Sequence, residues 1–465
     1  MADKLQRELS NRHIQLIAIG GAIGTGLFLG AGASIHLAGP SILLTYIIVG
    51  FILFMFMRAM GELLLSNLGF KSFGDIAHHH IGSMAGFMVG WTYWLTWIIS
   101  GMAEVTAVAK YVDFWYPDMP NWITAAATIL VLVALNLFSA KLFGELEFWL
   151  SIIKVITILA LIIVGIVMVI FAMKTDYGPA TVTNIWKEGG FFPNGASGFF
   201  MSFQMAIFSF IGIELIGITA GETKNPHETI PQAINNVPFR ILIFYIGSLA
   251  VIMSVVPWNK LDPAESPYVK LFGLIGIPVA AGIINFVVLS AAASSVYSGI
   301  IANRRTMFGL AGRNQGPPFL HKTNKNGVPY NAILVTCGLL GIAVILNAIF
   351  KDATKVFVQI TTFSTVLNIS IWAVIMVAYI GYLKHNPEQH KESNYRMPGG
   401  KYTAYGILVF FAFIFVILLI NSSTRLAVLF IPVWVLVLFL MYQKYKKESR
   451  KAEIPTEDDA ETTEE

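Results

Sequence analysis

The 465-residue chain is 56% hydrophobic and only 12% charged, with a mean hydropathy of +0.68, whereas soluble domains carry about 25% charged residues. These values exclude a soluble globular protein and predict an all-α integral membrane protein. The net charge of +4 is dispersed, which argues against a nucleic-acid partner, and the single cysteine, Cys337, excludes an intramolecular disulfide.

At about 20 residues per crossing, twelve apolar stretches qualify as transmembrane helices: 13–36, 40–66, 83–112, 121–140, 147–173, 198–221, 237–257, 277–311, 330–350, 356–382, 402–421 and 424–444. No basic, apolar and small-residue leader precedes the first, which is expected to stay in the fold. Residues 1–12 form an N-terminal tail, and 445–465 a C-terminal tail that ends in the acidic run AEIPTEDDAETTEE. HKTNKNGVP (321–329) and KHNPEQHKESNYRMPGGK (384–401) are polar connectors. With the N-terminus in the cytoplasm, 21 of the 31 Lys and Arg fall on the inner side and eight on the outer side. Arg58 and Lys154 remain at membrane depth. The positive-inside rule therefore predicts that both termini are cytoplasmic.

The first crossing contains AIGGAIGTGLFLGAG (18–32), with glycine at 20, 21, 24, 26, 30 and 32. Each glycine costs a helix roughly 1 kcal/mol relative to alanine, which a span built only for anchoring would avoid. The same residues suit tight helix packing, since Gly26 and Gly30 have GxxxG spacing. The sixth crossing tips the balance: FSFIGIE (208–214) interrupts its apolar run with Gly212 and Glu214, and Gly217 follows. Paired interruptions in corresponding positions of two halves point to the binding site of a secondary transporter. The halves would be an inverted repeat of five crossings each, 13–173 and 198–383, with 402–444 as two extra helices.

Unwinding at mid-membrane strands amides and carbonyls, which survive only where protein, water or ligand satisfies them. A free amino acid supplies both partners. Its carboxylate can accept from N–H groups at the positive end of the outer half-helix, and its ammonium can donate to stranded carbonyls. Gly24 and Gly26 permit close approach, and the Thr25 hydroxyl adds a donor. No GxGxxG fingerprint follows a strand here, so dinucleotide binding is excluded.

GELLLSN (61–67), KSFGDIA (71–77), GWTYWLTW (90–97), KLFGELEFWLSIIKVI (141–156), GIELIGITAGETKNP (212–226), PWNKLDPAESPYVKLF (257–272) and INFVVLSAAASS (284–295) occur in this order. Together they resemble the amino acid transporter family of the amino acid, polyamine and organocation superfamily, over roughly residues 10–445. The resemblance implies a bacterial plasma-membrane permease whose first and sixth helices are broken. It implies that Thr25 and Gly26 hold the substrate carboxylate and that the Ala22 and Ile23 region exposes carbonyls to the ammonium. It also implies carbonyl contacts from Phe208 and Ile211, with the Phe208 ring closing over the substrate. Small neutral substrates, glycine, alanine and serine of either hand, are expected on the same ground.

Ionisable groups at membrane depth default to functional readings. A lysine at the position of Lys154 resembles the stand-in for a sodium ion in proton-coupled relatives, set against the first helix and polar groups of the eighth. Ser290, Ser294 and Ser295 are suitable neighbours there; snorkelling to the surface is the structural alternative for Lys154. Glu104 stands among small residues with no basic partner within one turn, and burial favours the neutral carboxyl that a proton carrier needs. Glu214 follows the sixth-helix break and resembles a pH-responsive glutamate of related exchangers. Glu62 and Glu222 sit near helix ends and read as structural partners. His78, His79 and His80 are consecutive and diverge around a helix, so no metal is expected. Trp91, Tyr93, Trp94 and Trp97 read as packing residues.

The reading is a symporter that imports small amino acids with protons across the bilayer, with no cofactor, since GxxxxGKS or GxxxxGKT is absent and the proton gradient supplies the energy. An amino acid exchanger, or a permease for other neutral amino acids, is the nearer alternative. A membrane amino acid receptor is the more distant one. An enzyme is not expected, because HExxH, nucleophile-elbow and phosphate-loop motifs are absent.

Overall fold

The computed structural model describes residues 23–70, 72–138, 141–215, 225–275, 278–323, 328–350 and 352–452. Residues 13–22 of the first crossing, Ala22 among them, lie outside the described residues, as do Gly217, Glu222 and the acidic stretch from 453 onward.

The first part of the chain forms α1 (Thr25–Phe28), α2 (Gly30–Ala38), α3 (Ile42–Ser66), α4 (Phe73–His80), α5 (Ser83–Val112), α6 (Asn121–Phe138) and α7 (Lys141–Ile170). A small antiparallel ribbon follows, in which β1 (Lys174–Thr175) pairs with β2 (Gly178–Pro179). Next come α8 (Asn184–Lys187), α9 (Gly195–Met201) and α10 (Phe203–Phe208), then α11 (Pro226–Asn235), α12 (Val237–Arg240), a π-helical stretch over Ile241–Gly247, α13 (Ser248–Val255) and α14 (Pro267–Gly273). The remainder is α15 (Pro278–Gly312), α16 (Tyr330–Ile349), α17 (Ala353–His385), α18 (Pro387–Glu392), α19 (Gly400–Ile420) and α20 (Arg425–Ala452).

Among the described residues, eight helical segments are long and apolar enough to cross a membrane. Shorter apolar stretches, Asn121–Asn136 and Gly195–Phe208, stand where the fourth and sixth crossings are expected. The helix of the fifth crossing reaches back to Lys141, because Glu145 and Glu147 lower hydropathy without opposing helix formation, while its apolar span, Phe148–Ile170, begins within one residue of the expected 147. Another boundary differs from the sequence reading. The helical segment of the seventh starts at Pro226 instead of 237. Pro226 and Pro238 each occupy a first helical turn, where the missing N–H would have had no partner anyway.

The packing is organised around α5. It lies against α15 and α17, and also meets α4, α6 and α16; every residue from Gly101 to Ala109 is buried. Lipid removes the hydrophobic drive between helices, so close approach at small residues and internal hydrogen bonds must hold them together. A Cβ on Gly101 would lie 2.8 Å from Leu340 of α16, and one on Gly299 of α15 would lie 2.9 Å from Trp97. The last two helices are peripheral: 28% and 11% of their apolar windows are buried, against 61% for Ala353–His385.

Candidate substrate and coupling site

The backbone is interrupted at two places that face each other. Gly24 is extended, with φ −122° and ψ −166°, and a helix begins at Thr25. In the sixth crossing α10 stops at Phe208, and Gly212 turns the chain at φ +97°, a left-handed conformation that glycine adopts without steric cost. The two breaks touch. A Cβ on Gly26 would lie 2.6 Å from Ser209 Cα, 2.9 Å from Ser209 Oγ and 3.0 Å from Phe208 Cδ1. Close approach, more than helix flexibility, therefore requires glycine at 26.

Some of the freed backbone is already satisfied. The Gly24 carbonyl accepts from the N–H groups of Leu27 and Phe28 at 3.2 and 3.3 Å, and the Phe208 carbonyl accepts from Ile211 N–H at 3.1 Å. Gly212 N–H donates to Glu214 Oε2 at 3.0 Å, so Glu214 closes the turn it follows. Thr25 and Gly26 head the half-helix that follows the first break, at its positive dipole end, and the Thr25 N–H bonds Glu104. Ile23 is buried and Ile211 half-buried. The buried Phe208 ring stands edge-on to Phe357 of α17, with centroids 6.0 Å apart.

A chain of polar groups runs from the first break into the protein. Glu104 of α5 is buried and faces Thr25. A Cβ on Gly24 would lie 3.3 Å from Glu104 Oε1 and 3.6 Å from Ser295 Oγ. Lys154 of α7 is 1% exposed, which rules out snorkelling in this conformation. Its Nζ donates to Ser294 Oγ of α15 at 3.3 Å, and its charge acts on Glu104. Ser290 differs from Ser294: its hydroxyl donates to the Val287 carbonyl of its own helix at 2.7 Å. Thr25 meets Glu104 through its hydroxyl and its N–H, and Glu214 Oε1 is buried without a hydrogen-bond partner among the described residues. Leaving such an atom unpaired costs about 1–3 kcal/mol, and Glu214 stands at the sixth-helix turn that its other carboxylate oxygen caps.

Other polar contacts around the breaks were not legible in the sequence. Ser100 of α5 bonds Ser364 of α17, and Gln204 of α10 donates to Thr365 Oγ1 at 3.3 Å. The signal was present as polar residues inside apolar runs, Gln204 in FQMAIF and the cluster TTFST (361–365), but which helices they join depends on the fold. Glu62 is fully buried in a separate cluster. It accepts from Tyr379 Oη at 2.6 Å and Met397 N–H at 2.9 Å, and pairs with His390 Nδ1 at 2.5 Å. The aromatic cluster packs α5: Trp91 Nε1 donates to the Gln315 carbonyl at 3.0 Å, and Tyr93 stands edge-on to Phe73. Among the described residues no group of three His, Cys, Asp or Glu is placed to hold a metal ion.

Two interrupted helices that meet inside the bundle are a feature of transporters, and this multi-pass membrane protein falls in that class. The family profile for amino acid permeases matches residues 13–455, and the chain belongs to that family. It is 48% identical to the D-serine/D-alanine/glycine transporter of Escherichia coli (strain K12), over 94% of this chain and 93% of the relative. It is 48% identical to the amino-acid permease AapA of Bacillus subtilis (strain 168), over 96% of each chain. The aromatic amino acid transport protein AroP of Escherichia coli (strain K12) is 43% identical over 97% of each chain.

Proposed function

We propose that the protein is a proton-coupled symporter that imports small neutral amino acids by alternating access. Its substrates are D-alanine, D-serine and glycine, with L-alanine and L-serine as further candidates. The observation that carries this reading is the contact of the two breaks at Gly26 and Ser209, with Glu104 facing Thr25 beside it. The substrate carboxylate is received by Thr25 and Gly26. Its ammonium is received by carbonyls of the Ala22–Ile23 segment and of Phe208 and Ile211, once the Phe208 carbonyl is released from Ile211 N–H. Recognition through these two shared groups leaves selection to pocket volume. The similarity to a transporter for D-serine, D-alanine and glycine supports small substrates.

Glu104 is the proposed proton carrier. Lys154 and Ser294 take the place of a bound cation, and Ser290 contributes to the same region of α15. Glu214 couples the proton to the sixth-helix turn that it caps. The complete architecture is twelve crossings, two inverted repeats of five plus α19 and α20, with both termini in the cytoplasm. No cofactor is required: the membrane potential supplies about 2.3 kcal/mol per charge per 100 mV.

The test is uptake into proteoliposomes with a competing panel of D- and L-amino acids, with and without protonophore. Accumulation of labelled glycine or D-alanine that collapses with the protonophore is expected. Uptake that needs internal counter-substrate and ignores the gradient would establish an exchanger instead, and binding without accumulation a receptor.

A further inference from the structure

The sixth-helix break is held by residues from two neighbouring helices. The Tyr245 hydroxyl donates to the Ser209 carbonyl at 2.9 Å, and the Tyr46 hydroxyl of α3 meets Ser209 Oγ at 3.1 Å. Ser209 Oγ also donates to the Met205 carbonyl at 2.8 Å, so Tyr46 is the donor in its own contact. Tyr245 stacks on Phe210, the residue after Ser209, with centroids 4.6 Å apart and planes at 27°. Tyr46, Tyr245 and Ser209 are all buried. Ser209 is the residue on which the Gly26 backbone rests, so its position sets the separation of the two breaks.

Tyr245 lies inside the π-helical stretch Ile241–Gly247. A π turn inserts an extra residue per turn, rotates the residues after it and gathers at functional sites. Ser248, the first residue after the stretch, bonds the Tyr268 hydroxyl at 2.7 Å, and Tyr268 stands edge-on to Phe28 of α1 at 5.0 Å. One widened turn thus reaches the sixth-helix break through Tyr245 and the outer half of the first helix through Ser248 and Tyr268. Gly50 of α3 lets the two helices close up there, since a Cβ on it would lie 2.8 Å from Ile241 Cδ1.

We propose that Tyr245, delivered by the π-helical stretch and assisted by Tyr46, is a positioning residue: it fixes Ser209 and thereby the spacing of the two main-chain segments that receive the amino acid. The inference rests on the transport reading above and deepens it. A residue that shapes only the main-chain site acts on the α-carboxylate and α-ammonium, which every substrate shares. Its loss must therefore weaken all substrates by the same factor and leave the ratios between them alone.

The test measures binding of glycine, D-alanine and D-serine to purified full-length wild type, Tyr245→Phe and Tyr46→Phe. In Tyr245→Phe, Kd is expected to rise about tenfold for all three, the effect of leaving one buried carbonyl unpaired, with the number of binding sites per protein unchanged. Tyr46→Phe is expected to act in the same direction by a smaller factor. A merely structural role would lower the number of sites at constant Kd, and a side-chain pocket role would change the ratios between substrates; either result overturns the proposal. Unchanged Kd in Tyr245→Phe overturns it while leaving transport intact. A wild type that binds none of the three defeats the transport reading itself.

Discussion

The contact between Gly26 and Ser209 gives the most direct mutational test. Any side chain at 26 must begin with a Cβ only 2.6 Å from Ser209 Cα, and because that neighbour is backbone it cannot swing aside. Ordinary carbon contacts lie near 3.5–4.0 Å, so the two breaks must separate by about 1 Å. Overpacking of this kind costs about 1–3 kcal/mol, a loss of roughly 5- to 150-fold in affinity if it falls on the binding conformation. Gly26→Ala should sit toward the lower end and Gly26→Val toward the upper end or beyond. Gly338→Ala on α16 serves as control, because a Cβ there meets nothing within 4 Å. The assay is equilibrium binding of labelled glycine to detergent-purified protein, with monodispersity and thermal melting followed in parallel. A folded Gly26→Val with wild-type Kd would refute the facing breaks as the substrate site.

Glu104→Gln should suppress gradient-driven uptake more than substrate exchange, and Lys154→Ala should uncouple uptake from the gradient across pH; equal retention of uptake and exchange in either variant removes that residue from coupling. Glu62→Ala strands three groups, Tyr379 Oη, His390 and Met397 N–H, and should cost about 3 kcal/mol of stability. An unchanged melting temperature would contradict the hydrogen bonds described. His80 lies in α4, outside the crossings, where burial and then the charges of His79 and His385 bring its pKa down from 6.5 to about 4. The folded protein therefore holds this ring neutral, and the stability tied to it is complete above about pH 6.5 and is lost as pH falls toward 4. Wild type should lose more thermal stability between pH 7 and pH 4.5 than His80→Gln does; parallel losses would argue against a neutral His80.

What the sequence determined by itself was the pattern that depends only on local composition and order. Hydropathy located most of the helices because a residue facing lipid must be apolar whatever its neighbours are. Glycine at 24, 26 and 212 and the charges at 104, 154 and 214 stood out because each is costly in a membrane helix and so marks a place where ordinary rules are broken. Boundaries were less legible: Glu145 and Glu147 lower hydropathy inside a continuous helix, and the prolines at 226 and 238 resemble breakers although each begins a helical turn.

Tertiary structure decided everything that needs two distant segments to meet. Only packing brings Gly26 onto Ser209, or selects Ser294 for Lys154 while Ser290 bonds to its own helix. The π-helical stretch that carries Tyr245 to the Ser209 carbonyl has no signature in ILIFYIG, an ordinary apolar run. A hydrogen bond between residues 36 positions apart is a fact of helix placement and turn geometry, and neither is encoded in the local pattern of apolar and polar residues.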